Sequence, residues 1–152
     1  MSYEKHEATA EFTRWSESYD RSILQILLFG PSHRTMVKQI AKSFPGGPDT
    51  ILDVGCGTGV FAARLRAAFP KTRVCGIDLV KGMLTRGTSR WRAHAAHVHP
   101  VQGDSEHLPF ASNSFDVVTC ANSFHHYPNQ ANAIHEMRRV LRPGGKLLLI
   151  DG

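Results

Sequence analysis

The segment Ile51-Leu52-Asp53-Val54-Gly55-Cys56-Gly57-Thr58-Gly59 decides how this chain folds. An apolar run reaches a carboxylate. Three glycines then alternate with small residues, and a helical pattern begins in which Phe61, Leu65 and Phe69 recur every four residues. A buried strand that ends this way turns sharply and offers bare backbone N–H groups to a ligand at a helix N-terminus.

The same rhythm repeats downstream. Pro70 closes the helix, and a strand over 73–77 ends in Asp78. One helix is expected over roughly 81–94. Val98-His99-Pro100-Val101 reads as a third strand running to Gly103-Asp104, and Phe115 to Cys120 as a fourth. A helix over about 130–141 aligns Ile134, Met137 and Leu141. Arg142-Pro143-Gly144-Gly145 stops it, and Lys146 to Ile150 is a fifth, almost purely apolar strand. Strands apolar on both sides, alternating with helices, specify an α/β fold. It is Rossmann-like and doubly wound, a mainly parallel sheet of about five strands covered on two faces. Ligands in such folds lie beyond the carboxyl ends of the strands. Those ends carry Asp53 and Gly55, Asp78, Asp104, the Asn122 region and Asp151.

Upstream, residues 3–29 show helical spacing of Phe12, Trp15 and Tyr19. Pro31-Ser32 is expected to break that helix and start a second, with Met36, Val37, Ile40 and Phe44 on one side. Pro45-Gly46-Gly47-Pro48 is a loop. Residues 1–48 are therefore expected to form a helical segment covering the ligand site, and 49–152 the core of a single domain.

A chain of 152 residues, 41% hydrophobic and 20% charged, is globular in composition. Its longest apolar run, Ile23 to Phe29, falls far short of the roughly 20 residues a membrane span needs. The N-terminus is polar, with no signal peptide visible. Cys56, Cys75 and Cys120 are odd in number and strand-associated, which fits free buried thiols in a reducing, cytoplasmic setting. The net charge of +5 is uneven. Arg64, Arg66, Lys71, Arg73, Lys81, Arg86, Arg90 and Arg92 face a single acid, Asp78, over that stretch. Apart from Phe69 and Trp91 no aromatic interleaves them, which argues against nucleic acid and for a solvated helix surface.

Asp78 follows Gly59 by 19 residues. An acid there accepts hydrogen bonds from both hydroxyls of an adenosine ribose. Dinucleotide sites use G-x-G-x-x-G, where the helix N-terminus faces a pyrophosphate. Here the pattern is G-x-G-x-G with Asp53 two residues ahead. That carboxylate would oppose a pyrophosphate and suits a cationic amine or sulfonium.

Five ordered motifs then carry a resemblance. They are Asp53–Gly59, Gly76-Ile77-Asp78, Gly103-Asp104-Ser105-Glu106-His107-Leu108-Pro109-Phe110, Ser114-Phe115-Asp116-Val117-Val118, and Val140-Leu141-Arg142-Pro143-Gly144-Gly145. Over residues 50–152 the chain resembles class I S-adenosylmethionine-dependent methyltransferases, and within them the ubiquinone/menaquinone-biosynthesis branch. The resemblance implies methyl transfer from S-adenosylmethionine to a small-molecule acceptor. It implies that Gly55, Cys56 and Gly57 present backbone to the methionine part, with Asp53 near its amine. Asp78 would hold the ribose, Leu79 and Met83 would flank the adenine, and Asp104 with the Ser105 backbone would meet its amino group. Ala121 and Asn122 would line the sulfonium side, and Tyr19 would cover the cofactor.

The segment Ser123-Phe124-His125-His126-Tyr127 follows the fourth strand, where an acceptor would lie. His125 is the expected base, since a histidine takes a proton near neutral pH. His94, His97 and His99 lack an adjoining carboxylate or thiol, so no metal site is expected. Cys120 is expected as a buried strand-end thiol. The resemblance also implies a further helix and two more strands of a seven-stranded fold. The chain stops at Gly152, so truncation is expected, with a dimer mate or partner covering the fifth-strand edge, or a minimal fold, as alternatives. A non-catalytic scaffold that binds S-adenosylmethionine is the competing function.

Overall fold

A computed structural model describes residues 23–152 except Ala95, without the side chains of residues 23–28. The helix expected before residue 23 lies outside the described residues, as does Tyr19.

Helix α1 spans Ile23–Ser43. Pro31 does not break it. Proline removes one N–H from the helix ladder. The chain nevertheless continues, and Thr35 Oγ1 donates to the Pro31 carbonyl at 3.0 Å. Met36 and Ile40, both fully buried, press this helix against the sheet. Strand β1, Thr50–Val54, is buried along its whole length. Helix α2, Val60–Ala68, follows the glycine turn. Strand β2 is Arg73–Asp78.

The single helix expected over 81–94 is two short ones, α3 (Lys81–Arg86) and α4 (Thr88–Ala93). Gly87 divides them. A Cβ there would lie 2.3 Å from the Thr58 carbonyl oxygen, so only glycine lets the chain pass so close to the glycine turn. The division sends Trp91 back over α3, where its Nε1 donates to the Leu84 carbonyl at 3.1 Å.

Strand β3 is Val98–Gln102 and β4 is Phe115–Ala121. A 3₁₀ turn at Phe124–His126 precedes helix α5, Gln130–Val140. Strand β5 is Leu141–Ile150. It includes the expected Pro-Gly-Gly turn as an irregularity, because the register jumps from Phe115↔Leu141 to Val117↔Lys146. Arg142 anchors the loop-out to Asp116 at 3.1 Å.

All pairings are parallel, in the order β3-β2-β1-β4-β5. The two-residue period of each strand sorts side chains onto two faces. Ile51, Val74 and Val117 meet α1 and α2 through Met36, Phe61 and Leu65. Leu52, Val54, Val118 and Cys120 meet α5 through Ala133, Met137 and Val140. Burying each such aliphatic side chain contributes about 1.5–3 kcal/mol before entropy is counted. The expected doubly wound sheet is the observed one, with β5 an edge strand. Among the described residues no helix is long and apolar enough to cross a membrane.

Strand order fixes the place of the site. From β1 the chain moves toward β2 and β3, then crosses back to β4 and β5. The crevice at this switch point opens above the carboxyl ends of β1 and β4.

Candidate functional site

Gly55 and Gly59 adopt φ of +72° and +83°, a region that side-chain-bearing residues avoid. Each is also sterically required. A Cβ on Gly59 would meet the Trp91 ring at 2.5 Å, and one on Gly55 would meet the Ser123 hydroxyl at 2.3 Å and the Tyr127 hydroxyl at 2.6 Å.

The turn does not offer bare N–H groups in the manner expected from sequence. Gly55 N and Cys56 N both donate to the Ile77 carbonyl, at 2.9 and 3.1 Å. Gly57 N donates to Asp78 Oδ2 at 2.8 Å. These donors stitch the turn to β2, and Cys56 is only 7% exposed.

Asp78 closes β2 with each oxygen taking one backbone donor, Gly57 N on Oδ2 and Val80 N at 2.9 Å on Oδ1. Each oxygen retains a lone pair for a further donor. Burial raises its pKa, and those two N–H bonds oppose the rise. Asp53 is 2% exposed and accepts from Thr119 Oγ1 at 2.7 Å. Burial pushes its carboxyl up to about 7, the Thr119 bond pulls it down, and the charge of Asp78 adds to the rise. Thr119 was missed from sequence. Its signal is a hydroxyl one strand over from a strand-end acid, legible only once β1 and β4 are known to pair.

Leu79 is 41% exposed, an apolar wall open to solvent, while Met83 is 5% exposed with its Cε 3.4 Å from where a Gly57 Cβ would be. Asp104 accepts from Glu106 N at 2.9 Å, which shapes the turn that carries Ser105. Ala121 ends β4. Asn122 follows at φ +56°, its N–H donating to the Ile150 carbonyl at 2.7 Å. Its Nδ2 is buried without a hydrogen-bond partner. An unpaired buried donor costs about 1–3 kcal/mol.

His125 Nδ1 lies 2.7 Å from Asp151 Oδ1. The acid at the end of β5 thus meets the histidine that follows β4, because those strands are neighbours. The His126 ring lies against His125 at a tilt of 46°, with ring centroids 3.8 Å apart. Cys120 is fully buried, and burial pushes its thiol up to about 11, so it is an unreactive core group. Among the described residues His94, His97 and His99 do not gather into a ligand cluster. Asp104, Glu106 and His107 do approach one another within 4.8 Å. The two carboxylates are occupied with backbone, Asp104 with Glu106 N and Glu106 with Asn129 N at 3.0 Å.

The structure therefore gathers Asp53, Gly55, Cys56, Gly57, Asp78, Ala121, Asn122 and His125 around the β1/β4 switch point. Leu79, Met83, Asp104 and Ser105 continue the rim toward β3.

A doubly wound sheet in the order 3-2-1-4-5, with acids near the ends of its first two strands around a positive-φ glycine turn, is the Rossmann-like arrangement that class I methyltransferases share. Residues 51–145 match the family described as methyltransferase domain, and the chain belongs to that family. It is 35% identical over 149 residues to a demethylmenaquinone methyltransferase of Staphylococcus aureus, covering 97% of this chain and 61% of the relative. It is 36% identical over 111 residues to the protein of that name from Deinococcus radiodurans, covering 73% of this chain and 46% of the relative. The chain thus spans about half to three-fifths of these curated relatives. A SAM-dependent methyltransferase from Aquifex aeolicus shares the fold, with a TM-score of 0.76 and 23% identity over 91% of this chain and 72% of that one.

Proposed function

We propose that this chain binds S-adenosylmethionine at the β1/β4 switch point and transfers its methyl group to a small quinol-like acceptor. The observation that carries the reading is the pair of acids, Asp53 and Asp78, set around a glycine turn in a member of the methyltransferase domain family. Two buried carboxylates favour a cationic ligand and oppose a pyrophosphate. The exposed Leu79 side chain offers an apolar wall for a purine, and the unpaired Asn122 Nδ2 awaits an acceptor atom. The residues present thus fit the cofactor, which supplies an activated methyl group on a sulfonium.

In this reading Asp78 accepts the ribose hydroxyls on its remaining lone pairs, and Asp53 acts as a buried charge beneath the ammonium end. Met83, Asp104 and Ser105 complete the adenine side, and Tyr19 with residues 1–48 covers the cleft. His125 donates its Nδ1 proton to Asp151, which leaves Nε2 as the basic nitrogen. That nitrogen would take the proton from the acceptor hydroxyl, while the bound cofactor would supply the methyl group and be left as the neutral thioether once its S–CH3 bond is broken. The remaining task of the chain is alignment and exclusion of water. The acceptor class follows the names of the curated relatives. A cytoplasmic site of action and a dimer mate or partner along the β5 edge belong to the same proposal.

The test is a methyl-transfer assay with radiolabelled S-adenosylmethionine against quinol, phenol, lipid and amine acceptors. Label in the quinol supports the reading. Binding of the cofactor with no transfer to any acceptor replaces it with the scaffold reading.

A further inference from the structure

The turn that carries His125 and the turn that would carry the methyl donor are separate in sequence, yet they touch through one pair of hydroxyls. Tyr127 OH and Ser123 Oγ lie 3.0 Å apart. Cys120 Sγ lies 3.3 Å from Ser123 Oγ and 3.7 Å from Tyr127 OH, a third member at the end of β4. Ser123 Oγ also reaches the Val54 carbonyl, at 3.5 Å, immediately before Gly55. Both hydroxyls occupy the volume that a side chain on Gly55 would fill. The Tyr127 ring is held edge-on to Phe124, with centroids 5.8 Å apart at 76°. Between Ser123 and Tyr127 lie only the three residues of the 3₁₀ turn, with His125 at its centre.

We propose that the Ser123–Tyr127 hydroxyl pair is a positioning element. Seated in the space left by Gly55, it fixes the His125 turn against the cofactor turn. This rests on the methyltransferase reading above and deepens it. Burial holds the Tyr127 hydroxyl protonated, with its pKa raised well above the usual value, so its part is to bond and to fill space. A glycine at position 55 then has two reasons to exist: its φ of +72° and the hydroxyls packed on it. Close packing transmits displacement rather than absorbing it. A ligand that presses on the Gly55 turn therefore shifts His125, and a small misplacement of a reacting group is costly in rate.

The experiment follows the histidine ring resonances by NMR during titration with S-adenosylhomocysteine. The His125 signal is assigned by its disappearance in His125→Asn. In the native chain, binding moves the His125 signal. Tyr127→Phe keeps the ring and removes the hydroxyl. It is expected to bind the ligand within about threefold of the native affinity while the His125 response falls by more than about half. Ser123→Ala makes the same test from the other hydroxyl, should Tyr127→Phe fail to fold. A hydroxyl that serves stability alone would lower the melting temperature and leave the His125 response intact, and that result overturns the inference while the proposed function stands. Absence of ligand binding by the native chain overturns the proposed function and this inference with it.

Discussion

His125 Nδ1 and Asp151 Oδ1 are 2.7 Å apart, joining the turn after β4 to the end of β5 across 26 residues of chain. A carboxylate at that distance accepts from the ring N–H and orients the imidazole. Removing His125 as His125→Ala is expected to lower kcat by about 10²–10⁴, the usual contribution of a general base. Cofactor affinity should stay near native, because the proposed role of the residue is toward the acceptor. Asp151→Asn should lower kcat less. Steady-state kinetics with calorimetric binding separates the two effects. An unchanged kcat in His125→Ala rejects it as the base.

If Asp53 lies beneath the ammonium end as proposed, cofactor binding should be proton-linked. Burial pushes its carboxyl up to about 7. A cation placed beside it favours the ionised form and lowers that pKa. Binding should therefore release protons around pH 7, and affinity should rise with pH through that range. Calorimetry in buffers of different ionisation enthalpy measures the release. Asp53→Asn should abolish it while keeping an acceptor for Thr119.

His33 should give the fold an acid-sensitive side. It stacks on Phe61 at 4.3 Å, and its Nδ1 lies 2.8 Å from the Arg64 guanidinium. Burial, then the Arg64 charge, lowers its pKa to about 4. The unfolded chain protonates this residue near 6.5, so its contribution to stability is complete above about 6.5 and declines toward pH 4. Asp53 acts oppositely: its folded pKa is raised, so its contribution is complete below about 4 and is lost as pH rises toward 7. His33→Gln should therefore gain stability relative to the native chain as pH falls from 6.5 to 4. The difference approaches about 1.4 kcal/mol per pH unit at most. Urea unfolding across that range reads it, and parallel curves for the two proteins would contradict it.

Gly59→Ala tests the turn. It combines φ of +83° with a Trp91 ring carbon 2.5 Å from the new methyl group. A loss of more than about 1–3 kcal/mol in stability is expected, the range for strained backbone. Gly82→Ala is the control, because nothing lies within 4 Å of a Cβ there. Equal melting temperatures for the two variants would show that the turn is not held by Trp91.

Much of this was legible from local pattern. The strand-turn-helix at Ile51–Gly59 and the acids at strand ends follow from two-residue alternation and glycine placement, which act within a few residues. The rest depended on strand order. Asp151 stood out as a strand-end acid by the same rule as Asp78, but its meeting with His125 needs β4 beside β5. Thr119 beneath Asp53 and the hydroxyls against Gly55 likewise need the β1–β4 pairing. Two local signals misled. Pro31 lies within a helix whose buried face outweighs one lost hydrogen bond, and Gly87 divides a helix because the Thr58 carbonyl leaves no room for a side chain. The N–H groups of the glycine turn were expected to face a ligand. Those of Gly55, Cys56 and Gly57 instead face Ile77 and Asp78, because β2 ends beside them with acceptors to satisfy.

The most direct test of the account is calorimetric titration of the native chain and Asp78→Ala with S-adenosylmethionine. The native chain should bind one equivalent. The variant should lose about 1–3 kcal/mol of affinity, roughly 5- to 150-fold, because ribose hydroxyls are left without their acceptor. Circular dichroism must show the variant folded, since Asp78 also holds Gly57 N and Val80 N. No binding by the native chain, or equal affinity in a folded Asp78→Ala, would contradict the account.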